Sequence, residues 1–308
     1  MWIILAGLLG IFLTLVLPWL FLPWYIAVTF FVVFLSWRPT RSEWVRKSFV
    51  GPSLRSASGY NFQRIEGSAE LNADGQYIFA MHPHGLFCFA EMLTFVFDSP
   101  YTPIDKFAHE TVPLVASELM WMPILGHWVC ALGCESVDRE NMTQLLQQKK
   151  SVAITPGGVR EVKYTPQCTT TQIVLLKSLQ FLKLAFAKKD VSVVPILTVG
   201  ESACYTFLPS SNVVQNFFIK LVGWPFPMLA FGRWFTFLPG KNSHTTLLMG
   251  SPISPDNIDT VEEFEEMYYA ELSRIAQSKN VELHFVDRNG KIVEATGAVV
   301  QERSETSD

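Results

Sequence analysis

From Met1 to Trp37 the chain carries no charged side chain, and Arg38, Arg41, Arg46, Lys47 and Arg55 then arrive close together. Pro18 and Pro23 divide the apolar block into two arms of unequal length. Proline inside a helix removes a backbone donor and clashes with the preceding turn, so a break is expected there. Each arm is shorter than the ~20 residues of a comfortable bilayer span. Residues 1–37 are therefore expected to form a membrane hairpin, either two short spans or a re-entrant loop, with a buried core hairpin as the soluble alternative. Either membrane version returns the chain to its starting side, and the basic cluster then places the remainder on the cytosolic face.

Beyond Arg38 the pattern becomes that of an α/β domain. Gln76–Met81, Ser151–Thr155, Val191–Leu197 and Thr245–Met249 read as short buried strands. Arg139–Gln148 reads as a helix behind Asp138 as N-cap, with Met142, Leu145 and Leu146 on one face. Thr171–Ala187 reads as a mostly buried helix with a narrow stripe of Lys177, Gln180 and Lys183. Thr260 and Glu263 form a capping box ahead of Phe264, Met267, Tyr268, Leu272 and Ile275. Strands alternating with helices imply a mostly parallel sheet whose chemistry lies beyond the strands' carboxyl ends. The expected division is a hairpin over 1–37, an α/β domain over 38–285 and a polar tail over 286–308. Val213–Gly240 mixes many aromatic residues with Lys220 and Arg233, a texture that suits a membrane–water boundary or a core-facing segment.

Composition sharpens the membrane reading. Only 17% of the 308 residues are charged and 49% are hydrophobic, which excludes a disordered chain and leaves little polar surface for a freely soluble monomer. A net charge of −4 gives no global nucleic-acid footprint. The five cysteines form no CxxC pair and fit reduced thiols better than a disulfide framework or zinc site. GxSxG, GxxxxGK[ST] and GxGxxG are all absent, so a serine-hydrolase elbow, an NTPase loop and a dinucleotide site have no support.

Two turns carry the candidate chemistry. Met81-His-Pro-His-Gly85 directly follows the first expected strand, and imidazole can take a proton from a hydroxyl near neutral pH. Pro83 fixes one backbone angle and Gly85 permits a sharp turn. Alone, the motif is open to two other readings, a two-histidine metal clip or a solvated structural turn. Thr155-Pro-Gly-Gly-Val-Arg-Glu161 leaves the second expected strand at the same end of the sheet. Backbone N–H groups at Gly157 and Gly158 can approach a ligand oxygen or stabilise an oxyanion. Glu161 can orient a histidine and stabilise its imidazolium.

In order along the chain, these segments resemble the type-2 diacylglycerol acyltransferase family, which includes acyl-CoA:mono- and diacylglycerol acyltransferases and wax synthases. Tyr77–Gly85 is similar to the family's strand and HPHG signature, Arg139 to the arginine of its second block, and Pro156–Glu161 to its GGxxE block. Val194–Glu201 resembles VPxxxFGE, and Gly232-Arg233 falls where the family has a glycine–arginine pair. Ser178, Gln180 and Val199 depart from the pattern and bear on acceptor choice. The resemblance implies a glycerolipid-acyltransferase-like sheet with flanking helices. It implies a membrane-bound enzyme that moves a fatty acyl group from acyl-CoA to an acylglycerol hydroxyl, diacylglycerol being favoured as the route to triacylglycerol. The alternatives are a monoacylglycerol or wax-alcohol acyltransferase and a lipid-binding or lipid-droplet protein with a degenerate fold. In the favoured reading His84 is the general base, His82 orients His84 or the acceptor, and Glu161 holds the imidazolium. Gly157 and Gly158 then serve the oxyanion, and Arg139 and Arg160 the coenzyme A phosphates. No metal or redox cofactor is expected, acyl-CoA being a co-substrate. The expected partners are acyl-CoA, an acylglycerol or long-chain alcohol and membrane lipid, with no nucleic acid, and a homo-oligomer is compatible with all of this. The expected location is the endoplasmic reticulum membrane, catalytic domain facing the cytosol, or the lipid droplet surface.

Overall fold

The computed structural model describes residues 24–37, 39–45, 61–66, 71–72, 74–86, 88–96, 110–122, 125–178, 180–208, 212–222, 230–231, 244–287 and 292–293. The first arm of the expected hairpin lies outside them. The second arm forms helix α1, Trp24–Ser36. Its 13 residues rise about 20 Å, short of the ~30 Å hydrocarbon core. Among the described residues no helix is long and apolar enough to cross a membrane. Gly232, Arg233 and most of the aromatic segment after Val222 also lie outside the described residues.

The main sheet is built from β1 (Asn61–Glu66), β2 (Gln76–His82), β3 (Val112–Val115), β4 (Glu135–Ser136), β5 (Val152–Ile154), β7 (Val191–Val199) and β10 (His244–Met249). Their spatial order is β1-β10-β7-β2-β5-β3-β4. All neighbours run parallel except β10 and β7. β2 is central, so every residue along it is buried, as the continuous apolar run requires of a strand covered on both faces.

The stretch Thr171–Ala187 is not one helix. Gln172–Leu176 is a strand, β6, paired in parallel with β11 (Glu282–Val286), which also carries β12 (Ile292–Val293) in a second, three-stranded sheet. Only Gln180–Lys188 is helical. Ile173 and Val174 are β-branched, and a run apolar on every side has no helical period to distinguish it from a buried strand. The other two expected helices form at Arg139–Gln147 and Val261–Gln277. Asp138 caps the first without a side-chain bond, whereas Thr260 Oγ1 accepts from the Glu263 amide at 3.2 Å.

One main core joins Ile78, Ala80, Val152 and Ile154 to Leu145 and Leu146, to Phe181 and Leu182, and to Phe264, Tyr268, Tyr269 and Leu272. On the opposite face, Tyr77, Phe79 and Met81 pack with Ala90 and Phe95. Those two belong to a short helical turn, Phe89–Glu91, that continues as a π-helical stretch, Met92–Val96.

Candidate active site

The alternation along β2 decides where its last residue points. Gln76, Ile78, Ala80 and His82 share the face covered by Val261–Gln277. His82 is accordingly 1% exposed, with Nε2 2.8 Å from the Tyr268 hydroxyl. Burial lowers its pKa to about 3, so the ring is neutral. The sequence assigned His82 to orient His84 or the acceptor. Instead its ring is bonded into the core, where it ties β2 to the last long helix.

His84 lies two residues on, after the chain has left the strand. Its Nδ1 sits 3.0 Å from the Gly85 carbonyl oxygen. A carbonyl only accepts, so Nδ1 carries the proton and Nε2 keeps its lone pair. Burial lowers the His84 pKa, and the bond to Gly85 partly opposes this. Gly85 makes the turn at φ +63°, and an added Cβ would meet Glu201 Oε1 at 3.0 Å.

Glu161 reaches this turn by a route the sequence did not indicate. It is 1% exposed; Oε1 accepts from the His84 amide at 2.6 Å and Oε2 from the Leu176 amide at 2.7 Å. The carboxyl therefore holds the backbone of His84 rather than its imidazole. It joins the turn after β2 to the end of β6. Burial pushes its pKa up to about 7, while the two amide bonds hold it down. Gly157 must be glycine because an added Cβ would fall on the Glu161 carboxyl. Gly158 is at φ +56° with open space beside it, and its amide donates to Thr155 O at 3.2 Å. Of the two amides proposed for an oxyanion, that of Gly158 is thus already engaged in the turn.

Arg139 and Arg160 are both exposed. Arg160 precedes Glu161. Arg139 follows β4, three strands from β2 in the sheet order, a lateral distance of about 14 Å. The structure therefore brings His84, Glu161 and Gly157 together and sets Arg139 apart.

Four residues without an assigned role belong to the same neighbourhood: Cys88, Glu91, Glu201 and Tyr268. Cys88 donates its thiol to the His84 carbonyl at 3.0 Å and lies 3.5 Å from Nδ1. Burial, then Glu91 and Glu201, push that thiol well above the usual range, so it stays protonated and is no nucleophile. Glu201 Oε2 accepts from the Ala90 amide at 3.4 Å. Its signal in the sequence was a glutamate directly beyond a strand's carboxyl end. Cys88 and Glu91 had only their nearness in sequence to His84, and Tyr268 had none.

Residues 11–283 match the diacylglycerol acyltransferase family. The chain is 24% identical to diacylglycerol O-acyltransferase 1 of Eremothecium gossypii, over 82% of this chain and 58% of that protein. It is 27% identical to diacylglycerol O-acyltransferase 1 of Saccharomyces cerevisiae, over 81% and 61%. It thus spans about three fifths of the length of these fungal relatives. It is also 27% identical to mouse diacylglycerol O-acyltransferase 2-like protein 6, over 91% of this chain and 90% of that one. Among solved structures, the 1-acyl-sn-glycerophosphate acyltransferase of Thermotoga maritima aligns with a TM-score of 0.47 at 14% identity, covering 89% of this chain and 87% of that one. The family match takes in both the turn that carries His84 and the turn that carries Glu161, as well as the long helix behind them, and the chain belongs to the diacylglycerol acyltransferase family.

Proposed function

We propose that this protein transfers a fatty acyl group from acyl-CoA to the free hydroxyl of an acylglycerol, with diacylglycerol as the first acceptor to test. The observation that carries the reading is the Nδ1 contact of His84 with the Gly85 carbonyl at 3.0 Å. It leaves Nε2 as a neutral base next to a glycine-rich turn. Nε2 takes the acceptor's proton as its oxygen attacks the thioester carbon. The tetrahedral intermediate then expels the coenzyme A thiolate, which takes that proton back from Nε2. The Gly157 amide is the candidate donor to the oxyanion. Glu161 acts as a positioning residue through the His84 backbone. Arg139 and Arg160, both exposed, the first set apart and the second beside Glu161, suit the phosphates of an extended coenzyme A. The uncharged run 1–37 would hold the site at a membrane surface where the acceptor dissolves, on the cytosolic face of the endoplasmic reticulum or on a lipid droplet.

The test is labelled oleoyl-CoA with membranes containing the protein, against diacylglycerol, monoacylglycerol and hexadecanol, beside membranes containing His84→Ala. An ester formed only by the unmutated chain, at matched protein amounts, supports the reading. Full activity in His84→Ala refutes it.

A further inference from the structure

Two buried carboxyls that the acyl-transfer steps leave unused stand close to Cys88, whose sulfur lies against the His84 ring. Glu91 is 6% exposed and Glu201 is 4% exposed. The Ala90 amide donates to Glu201 Oε2 at 3.4 Å, which sets Glu201 against the turn that carries Glu91. Glu91 Oε1 has no hydrogen-bond partner among the described residues. Cys88 links this pair to the reaction centre: its sulfur is 3.5 Å from the His84 ring, and after burial its thiol feels Glu91 most strongly. A buried polar oxygen without a partner is costly, and such an atom beside a reactive group calls for an occupant.

We propose that Glu91 selects the acceptor, its carboxyl hydrogen-bonding the ester carbonyl on the glycerol carbon adjacent to the reacting hydroxyl, so that acylglycerols are preferred to simple long-chain alcohols. The proposal rests on the acyl-transfer reading above and names the acceptor class of that same site. Burial and then the Glu201 charge push the Glu91 pKa up to about 8, so at neutral pH the side chain offers an O–H donor. An ester carbonyl can accept that bond. Hexadecanol brings only the hydroxyl that His84 deprotonates, and leaves the buried donor unmatched. A site built around such a donor rejects a substrate that cannot use it far more strongly than a purely apolar pocket would.

The full chain in membranes allows two independent tests. First, the unmutated protein is given dioleoylglycerol or the matching dialkylglycerol ether, which keeps the hydroxyl and chains but lacks the ester carbonyls. The ester should be preferred by about tenfold or more in kcat/KM; equal use of both overturns the proposal. Second, the ratio of kcat/KM for dioleoylglycerol to that for hexadecanol is compared in Glu91→Met and Glu91→Gln. Methionine should lower the ratio by about tenfold or more, and glutamine, which keeps a donor, should recover most of it. An unchanged ratio in Glu91→Met, through equal losses on both acceptors, overturns the assignment. Should Glu91→Met fail to fold, the ether comparison decides. Absence of any ester from the unmutated protein overturns the acyl-transfer reading itself, and this assignment with it.

Discussion

Replacing Glu91 by glutamine should make the protein more stable at alkaline pH, by an amount that follows from its burial. In the folded chain the carboxyl ionises only near pH 8, against 4.5 as the ordinary value, because burial and the Glu201 charge both oppose ionisation. Between those limits the unfolded chain releases this proton and the folded chain keeps it. Folding stability from this group is therefore complete below pH 4.5 and declines as pH rises towards 8. Each pH unit removes about 1.4 kcal/mol, or about 4 to 5 kcal/mol across the window. Glutamine is nearly isosteric and does not titrate. Glu91→Gln should match the unmutated protein near pH 4.5 and exceed it by roughly that amount above pH 8. In melting temperature the gap is about 6 to 8 °C for a chain of this size. His82 works in the opposite direction: ionising at about 3 instead of 6.5, it costs stability as pH falls below 6.5. It is present in both proteins, so the difference between their curves isolates Glu91. The assay is thermal unfolding of detergent-purified protein from pH 4.5 to 9. Parallel curves for the two proteins would refute the reasoning. Glu201→Gln should shrink the effect, since it removes the second of the two causes.

Three further outcomes are expected. Glu161→Gln puts a donor against one of two amide donors and should lower kcat about a hundredfold by displacing the His84 backbone. Protonation of Glu161 puts the same kind of donor there, so the unmutated protein should lose activity as pH falls through about 7 and Glu161→Gln should lack that limb; the same limb in both proteins would refute the positioning role. In Glu161→Gln the remaining acid limb belongs to His84 and should lie below 6.5, since burial lowers its pKa; a limb above 6.5 would contradict this. Cys88 should resist maleimide at pH 7, checked by mass spectrometry of the native protein, because its thiol stays protonated. Rapid labelling at that site would count against the described environment.

The strands that were legible in the sequence are the ones buried on both faces. Gln76–Met81, Ser151–Thr155, Val191–Leu197 and Thr245–Met249 all form close to their expected bounds. Asn61–Glu66 was missed because its two apolar residues, Phe62 and Ile65, stand three apart and break the two-residue period, and Val112–Val115 because it is four residues long and contains Pro113. The antiparallel entry of β10 beside β7 had no local signal either, since strand direction is decided by the connections. At the site, sequence placed His84, Gly157 and Glu161 together through two turns that leave neighbouring strands. It could not say which atom of His84 Glu161 would hold. A carboxylate facing a histidine two turns away in a motif suggests the ring, yet the nearer donor in the fold is the main chain. Glu91 and Glu201 become a pair only when β7 lies beside β2.

The bond between His82 and Tyr268 joins residues 186 positions apart in the chain, and this has a consequence for biosynthesis. At a typical rate of translation, about 10 to 40 s separate their synthesis. For the first part of that interval β2 lacks its neighbour β7, and for all of it the helix that covers its inner face is incomplete. The turn that follows β2 cannot mature before Tyr268 has been made, and a newly synthesised apolar strand must be sheltered until the last long helix docks. Substitutions on the inward face of that helix, at Phe264 or Leu272, would then lower the yield of active protein during synthesis while leaving the molecules that do mature with normal turnover.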